Sequence, residues 1–218
     1  MYEDEYAHPE QINFSKIHEN LRSLALFDDT FLNMQAMNLA IIDKFITEQE
    51  YLLLQEYIEK EKTPLQQSLF VSAQSQMWMF ATYELLRTWR SKCDKLLKWK
   101  QNGSIDLILS NLDQDRLNLA ANIQRQHLER LRDDPEFTAK IRSDRYASDN
   151  LFTLVRDIRV TLAKHQLPGK DNKLPRAPGY GRIHALCGAL DFEVEYSDGS
   201  ITFINRRDIA NELRRMEV

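Results

Sequence analysis

The chain has 218 residues, 43% of them hydrophobic and 28% charged, with a formal net charge of −4. That composition excludes wholesale disorder, is long enough to bury one generous core, and leaves any nucleic-acid case to local charge. With only 6 Gly and 6 Pro, long uninterrupted elements are expected rather than a turn-rich β-sandwich.

Residues 1–10 read as an acidic N-terminal tail, mobile or covered by a partner. Ile12, Phe14, Ile17, Leu21, Leu24 and Leu26 then recur near helical spacing, and Asp28-Asp29-Thr30 breaks the run and can cap the next helix. The apolar pattern continues from Phe31 to Ile58, with an interruption expected at Thr47-Glu48-Gln49-Glu50, because Thr47 and Glu50 have capping-box spacing. In Thr63-Pro64-Leu65-Gln66 the spacing predicts a helix start: Thr63 caps, Pro64 sits where its missing N–H is harmless, and Gln66 closes the box.

The helix that follows meets no Gly or Pro until Gly103. Leu69, Ala73, Met77, Phe80 and Ala81 share one of its faces. Met77-Trp78-Met79-Phe80 is apolar on all sides, which predicts the central helix. A helix is expected over 113–133, with Pro135 separating it from the next segment. A last long helix is expected over 148–166, ending because Leu167 precedes Pro168. Phe192, Val194 and Tyr196 alternate up to Asp198-Gly199, Ile201 and Phe203 alternate after it, and Asn205 to Asp208 caps a terminal helix reaching Met216. The fold class is therefore mainly α: a helical bundle of four to six long helices over 11–166, a basic Pro/Gly loop over 167–182, and a small β-hairpin plus short helix over 183–218.

Several chemistries lack their usual residues. There is no Walker loop, no dinucleotide glycine fingerprint and no paired CxxC. A di-iron bundle needs two Glu-x-x-His units, and the only match is Glu5-Tyr-Ala-His8 in the tail. His184-x-x-Cys187 is half of a metal site. Neither metal nor cofactor is expected. Two cysteines, Cys93 and Cys187, fit a reducing cytosol rather than a disulfide framework. No stretch approaches the ~18 apolar residues of a membrane span, and Met1-Tyr2-Glu3-Asp4-Glu5 is the reverse of a signal peptide. A cytoplasmic chain without membrane contact is the expectation.

The most informative stretch is Val155 to His165. Leu151, Leu154, Val155, Ile158 and Leu162 form an apolar stripe, His165 falls on the same stripe, and Arg159 lies on its flank. A histidine at a helix C-terminus is favoured as imidazolium, and its ordinary pKa lets it act as acid or base near neutrality. Arg159-x5-His165 late in the last long helix, with the ending Leu162-Ala163-Lys164-His165, resembles the signature of HEPN domains. The resemblance implies a metal-independent endoribonuclease or RNA-directed effector of a bacterial toxin–antitoxin or antiviral defence system. It implies a homodimer whose protomers pool their Arg and His side chains, with Arg159 and His165 catalytic. Val160 stands where the family usually has a polar residue. Asp157 after Arg156 supplies that character, which makes Arg156 and Asp157 supporting candidates.

Between Arg156 and Arg182 seven basic residues face two acidic ones, a net of +5. Lys164, Lys170, Lys173, Arg176 and Arg182 in this stretch are candidates to track an RNA backbone, with Tyr180 stacking on a base. A second basic run, Arg87 to Lys100, reads as a packing stripe of Trp89, Cys93 and Leu96 or Leu97 with a solvated basic opposite face. Glu84 and Arg87 read as a surface pair. The alternative function is a non-catalytic helical dimerisation or partner-binding protein. In that case Met77 to Phe80 is core or partner-facing, and the partner is an antitoxin or complex subunit.

Overall fold

Long runs without Gly or Pro become long helices. The computed structural model describes residues 6–112, 114–115, 117–166, 177, 179–196 and 198–216. After a 3₁₀ turn at Pro9–Gln11 come α1 (Ser15–Ser23), α2 (Thr30–Lys60), α3 (Leu65–Gln101), α4 (Ile105–Asn111), α5 (Leu119–Asp133), α6 (Pro135–Ala147) and α7 (Asp149–Lys164). The chain then forms β1 (Gly181–Ile183), β2 (Leu190–Glu195), β3 (Ile201–Ile204) and α8 (Arg206–Arg215). The protein is mainly α, as the sequence predicts.

Local chemistry explains most boundaries. Asp29 caps α2 by accepting from the Phe31 and Leu32 N–H groups. Asp134 does the same for Glu136 and Phe137 at the head of α6, whose first residue is Pro135. Asn205 and Asp208 form the expected capping box on α8. The hairpin turns at Asp198-Gly199, with Gly199 at φ 89° and the Tyr196 N–H donating 2.8 Å to the Ser200 carbonyl. A third strand, β1, pairs antiparallel with β2, so Gly181 and Arg182 belong to the sheet rather than to a loop. The helix expected over 113–133 starts instead at Leu119, where Asn118 accepts from the Ala121 N–H, and α4 precedes it.

One expectation fails for a physical reason. The interruption at Thr47–Glu50 is absent, and α2 continues through it for 31 residues. Thr47 and Glu50 do not cap; both are fully buried and, with Asp43, receive the guanidinium of Arg206. On α3 the shared face of Leu69, Ala73, Met77 and Ala81 turns to solvent, with Phe80 half-buried. The core face is Val71, Ser75, Trp78, Met79, Thr82, Leu86 and Trp89. A helix apolar on both sides carries no periodic signal for choosing between them. The choice is made by two indole N–H groups, Trp78 donating 2.9 Å to the Leu39 carbonyl and Trp89 2.8 Å to that of Ala25.

One core runs through the whole structure, from Ile17, Leu53, Met79 and Ile158 in the bundle to Phe192, Val194, Ile209 and Leu213. Arg206 locks this joint. Its Nε and Nη2 reach the Glu50 carboxylate at 2.8 and 2.6 Å, Nη2 also donates 2.7 Å to Thr47, and Nη1 meets Asp43. Arg214 bonds the other Asp43 oxygen. Burial opposes the Arg206 charge, and Glu50 and Asp43 outweigh it, so its pKa is raised. The N-terminal segment joins in: the Tyr6 hydroxyl donates 2.5 Å to Asp208, and Arg207 donates 2.8 Å to the Ala7 carbonyl. Among the described residues no helix is long and apolar enough to cross a membrane.

Candidate functional site

Two regions carry functional candidates: the end of α7, and the outer face of the α2–α3 hairpin.

On α7 the stripe predicted from spacing is real. Leu151, Val155, Ile158 and Leu162 are buried and Leu154 is half-buried. Arg159 lies on the flank, its guanidinium 5.2 Å from the centre of the Tyr83 ring. Tyr83 stacks on Phe152 at 5.7 Å, and Arg90 covers that ring at 4.3 Å. Arg159 is thus one end of a cation–ring–ring–cation stack between α3 and α7. Arg90 is buried and bonds Ser148 and Asp149, which corrects its placement on a solvated face.

His165 departs from its expected position. The backbone turns left-handed there (φ 52°, ψ 44°), which ends α7 and takes the ring off the stripe into solvent. Six positions at ~100° each put residues 159 and 165 about 120° apart even on a continued helix. Among the described residues no hydrogen bond or ring contact joins Arg159 to His165. Arg156 is exposed and donates 3.0 Å from Nε to Asp157, which is buried. Burial pushes the Tyr196 phenol up, and the nearby Asp157 charge adds to it. Lys164 is exposed, Tyr180 is exposed, and Arg182 lies over the Phe203 ring at 5.5 Å. Lys170, Lys173 and Arg176 lie outside the described residues. Among the described residues, no hydrogen bond, ion pair or ring contact brings Arg159, His165 and the Arg156–Asp157 pair together. Among the described residues no group of three or more His, Cys, Asp and Glu side chains could hold a metal ion.

The α2–α3 hairpin presents a different feature. Seven large apolar side chains of α2 (Phe31, Met34, Met37, Ile41, Ile42, Phe45 and Leu52) are 43–59% exposed. At ~100° per residue they fall in one arc opposite the buried face of Leu32, Ala36, Leu39, Asp43, Ile46 and Leu53. On α3 Leu69, Phe70 and Met77 are likewise exposed. The Trp78–Leu39 bond and the Gln67–Gln49 amide bond at 3.2 Å fix an antiparallel register. That register sets Ile42 and Phe45 beside the level of Phe70 and Met77, so the two exposed arcs adjoin across the seam. No Asp, Glu, Lys or Arg occurs in Thr30–Ile42 or in Leu65–Tyr83. The sequence shows the all-round apolar character of Met77 to Phe80 and leaves open whether its outer side is core or partner-facing. The signal that separates the two readings is the run of uncharged Gln, Ser and Asn between the apolar positions.

No protein-family model, curated protein or solved structure matches this chain.

Proposed function

We propose that this protein is a helical interaction module that works as a homodimer through the outer face of α2 and α3. The observation that carries this reading is the exposed apolar face of α2 and α3, Phe31 to Leu52 with Leu69, Phe70 and Met77, which is free of charge over Thr30–Ile42 and Leu65–Tyr83 and carries the Lys44–Glu48 pair towards the Leu52 end. At about 100 Å² of exposed surface each, these ten side chains present on the order of 1,000 Å². That exceeds the ~300–600 Å² of the largest apolar patch on an ordinary monomer and meets the ~800 Å² per partner of a stable interface. Loss of charge with enrichment in Phe and Met is also the composition of interface centres. The occupant that fits is a second copy. An antiparallel hairpin with one open face is half of a four-helix bundle, and a twofold axis completes it with the same residues.

Sedimentation should give a dimer at micromolar concentration, and Ile41→Glu with Met77→Glu should give a folded monomer with unchanged helicity. Ala73→Cys supplies a thiol near the expected axis, where it should form a disulfide with its copy. A monomeric wild type would turn this face over to another partner, an antitoxin-like or complex subunit.

A second reading, metal-independent RNA cleavage by Arg159 and His165, has one supporting observation: the His165 ring is solvent-accessible beside exposed Lys164. The histidine would move a proton at the 2′-hydroxyl or leaving oxygen, and the arginine would offset phosphorane charge. Incubation with mixed RNAs in EDTA tests it. His165→Ala should lower cleavage by about 10²- to 10⁴-fold without unfolding the chain.

A further inference from the structure

A cavity of about 270 Å³, which shares Phe31 with the outer face of α2, opens between the start of α2, the last turns of α3 and the first half of α5. Its apolar lining comes from Phe31, Leu96, Trp99 and Ile123, and its polar lining includes Lys92 and Lys95. The carboxylates near it are already engaged by cations and N–H groups. Asp29 accepts from two backbone N–H groups with Oδ1 and from Lys92 with Oδ2. Asp28 accepts from His127 Nε2 and Arg130 Nη1, both at 2.9 Å. The cations are not saturated. An ammonium has three donors, and the one described bond of Lys92 uses one of them. Lys95 rests 4.6 Å above the Trp99 ring, and among the described residues no ion pair engages it.

A pocket whose carboxylates are paired, with spare ammonium donors and an aromatic wall, suits anions with a flat apolar body. We infer that this cavity is a binding site for a small aromatic carboxylate. The ring system would lie on Trp99, Leu96 and Ile123, and the carboxylate would reach the ammonium groups of Lys92 and Lys95. The volume suits roughly a dozen non-hydrogen atoms, a size whose affinity is expected near 1 mM or somewhat tighter. A cation is excluded by the two lysines. A long polar chain is excluded by the apolar floor.

The test uses 2-naphthoate and its neutral amide, followed through the three indole N–H resonances of the intact protein. Trp78 and Trp89 have their indole N–H groups bonded inside the core, so Trp99 is the reporter, and Trp99→Phe identifies its signal. Naphthoate should shift that one resonance saturably. The amide and Lys95→Gln should each weaken binding about 3- to 10-fold. Ala120→Phe, at an exposed position on the cavity edge, should abolish it. The inference is overturned by a shift that remains linear to about 10 mM, by equal response to the amide, or by binding that survives Ala120→Phe.

Discussion

Arg206 is the residue whose environment departs furthest from its local rules. It opens α8, where the helix dipole disfavours a cation, and it is completely buried. Both disadvantages are offset by Asp43, Thr47 and Glu50, which sit at i, i+4 and i+7 of α2 and so share one face. Removing the guanidinium leaves the buried Glu50 carboxylate without its described ion pair and Asp43 with Arg214 alone. Arg206→Met should therefore lower unfolding stability by about 3–5 kcal/mol in denaturant titrations. Arg206→Lys should recover little of that, because an ammonium cannot span two acceptors as the fork does. Gly188 is sensitive for a steric reason. Its φ is +73°, and a Cβ there would lie 1.9 Å from the Glu50 carbonyl oxygen. Gly188→Ala should lower stability by at least about 2 kcal/mol, read from the same titration.

Among the elements, α2 and α8 depend on each other. The middle of α2 carries polar side chains that would favour a break, and it stays helical because the α8 arginines occupy them. The cap of α8 is a separate contribution. Asn205 accepts from the Asp208 N–H at 3.1 Å and donates 2.9 Å to Asp191. Asn205→Ala should lower stability by about 1–2 kcal/mol and shift the unfolding midpoint without changing its slope. The same elements show how much of the candidate site was legible. The α7 stripe, the hairpin turn and the α8 cap follow from spacing of a few residues and were readable. The outward-facing side of α3 was not, because an all-round apolar helix has no phase until Trp78 finds the Leu39 carbonyl.

At the scale of the whole molecule, both cysteines are buried, Cys93 within the main core and Cys187 at 4% exposure. Burial pushes the Cys93 and Cys187 thiols up to about 12. Neither should react with a disulfide reagent at pH 8 while the chain is folded, and both should react in denaturant. The sign of the linkage follows. The folded state holds these thiols neutral, so their contribution is fully present below the unfolded thiol pKa of about 8.5. It declines as pH rises from there towards 12. The acid limb has the opposite sense. The hydrogen bond from His127 holds the Asp28 carboxyl below its ordinary range, so its contribution is lost as pH falls below about 4. Because Asp28 is half-exposed, screening keeps that contribution well under a typical buried pair. Asp28→Asn should therefore fall below the wild-type denaturation midpoint at pH 7, and the gap should narrow as pH drops below about 4.

Sequence alone determined the helical class, the order of the main helices, the Asp198-Gly199 hairpin and the capped terminal helix. Those features depend on propensity and on neighbours within four residues, which the chain states directly. Only the tertiary structure decided that Thr47 and Glu50 are a socket rather than a cap, that His165 turns away from its own stripe, and that Met77 looks outward. Each of these depends on a partner far along the chain or on a backbone turn at a helix end. Helical periodicity fixes which residues share a face; long-range contacts decide which face is buried.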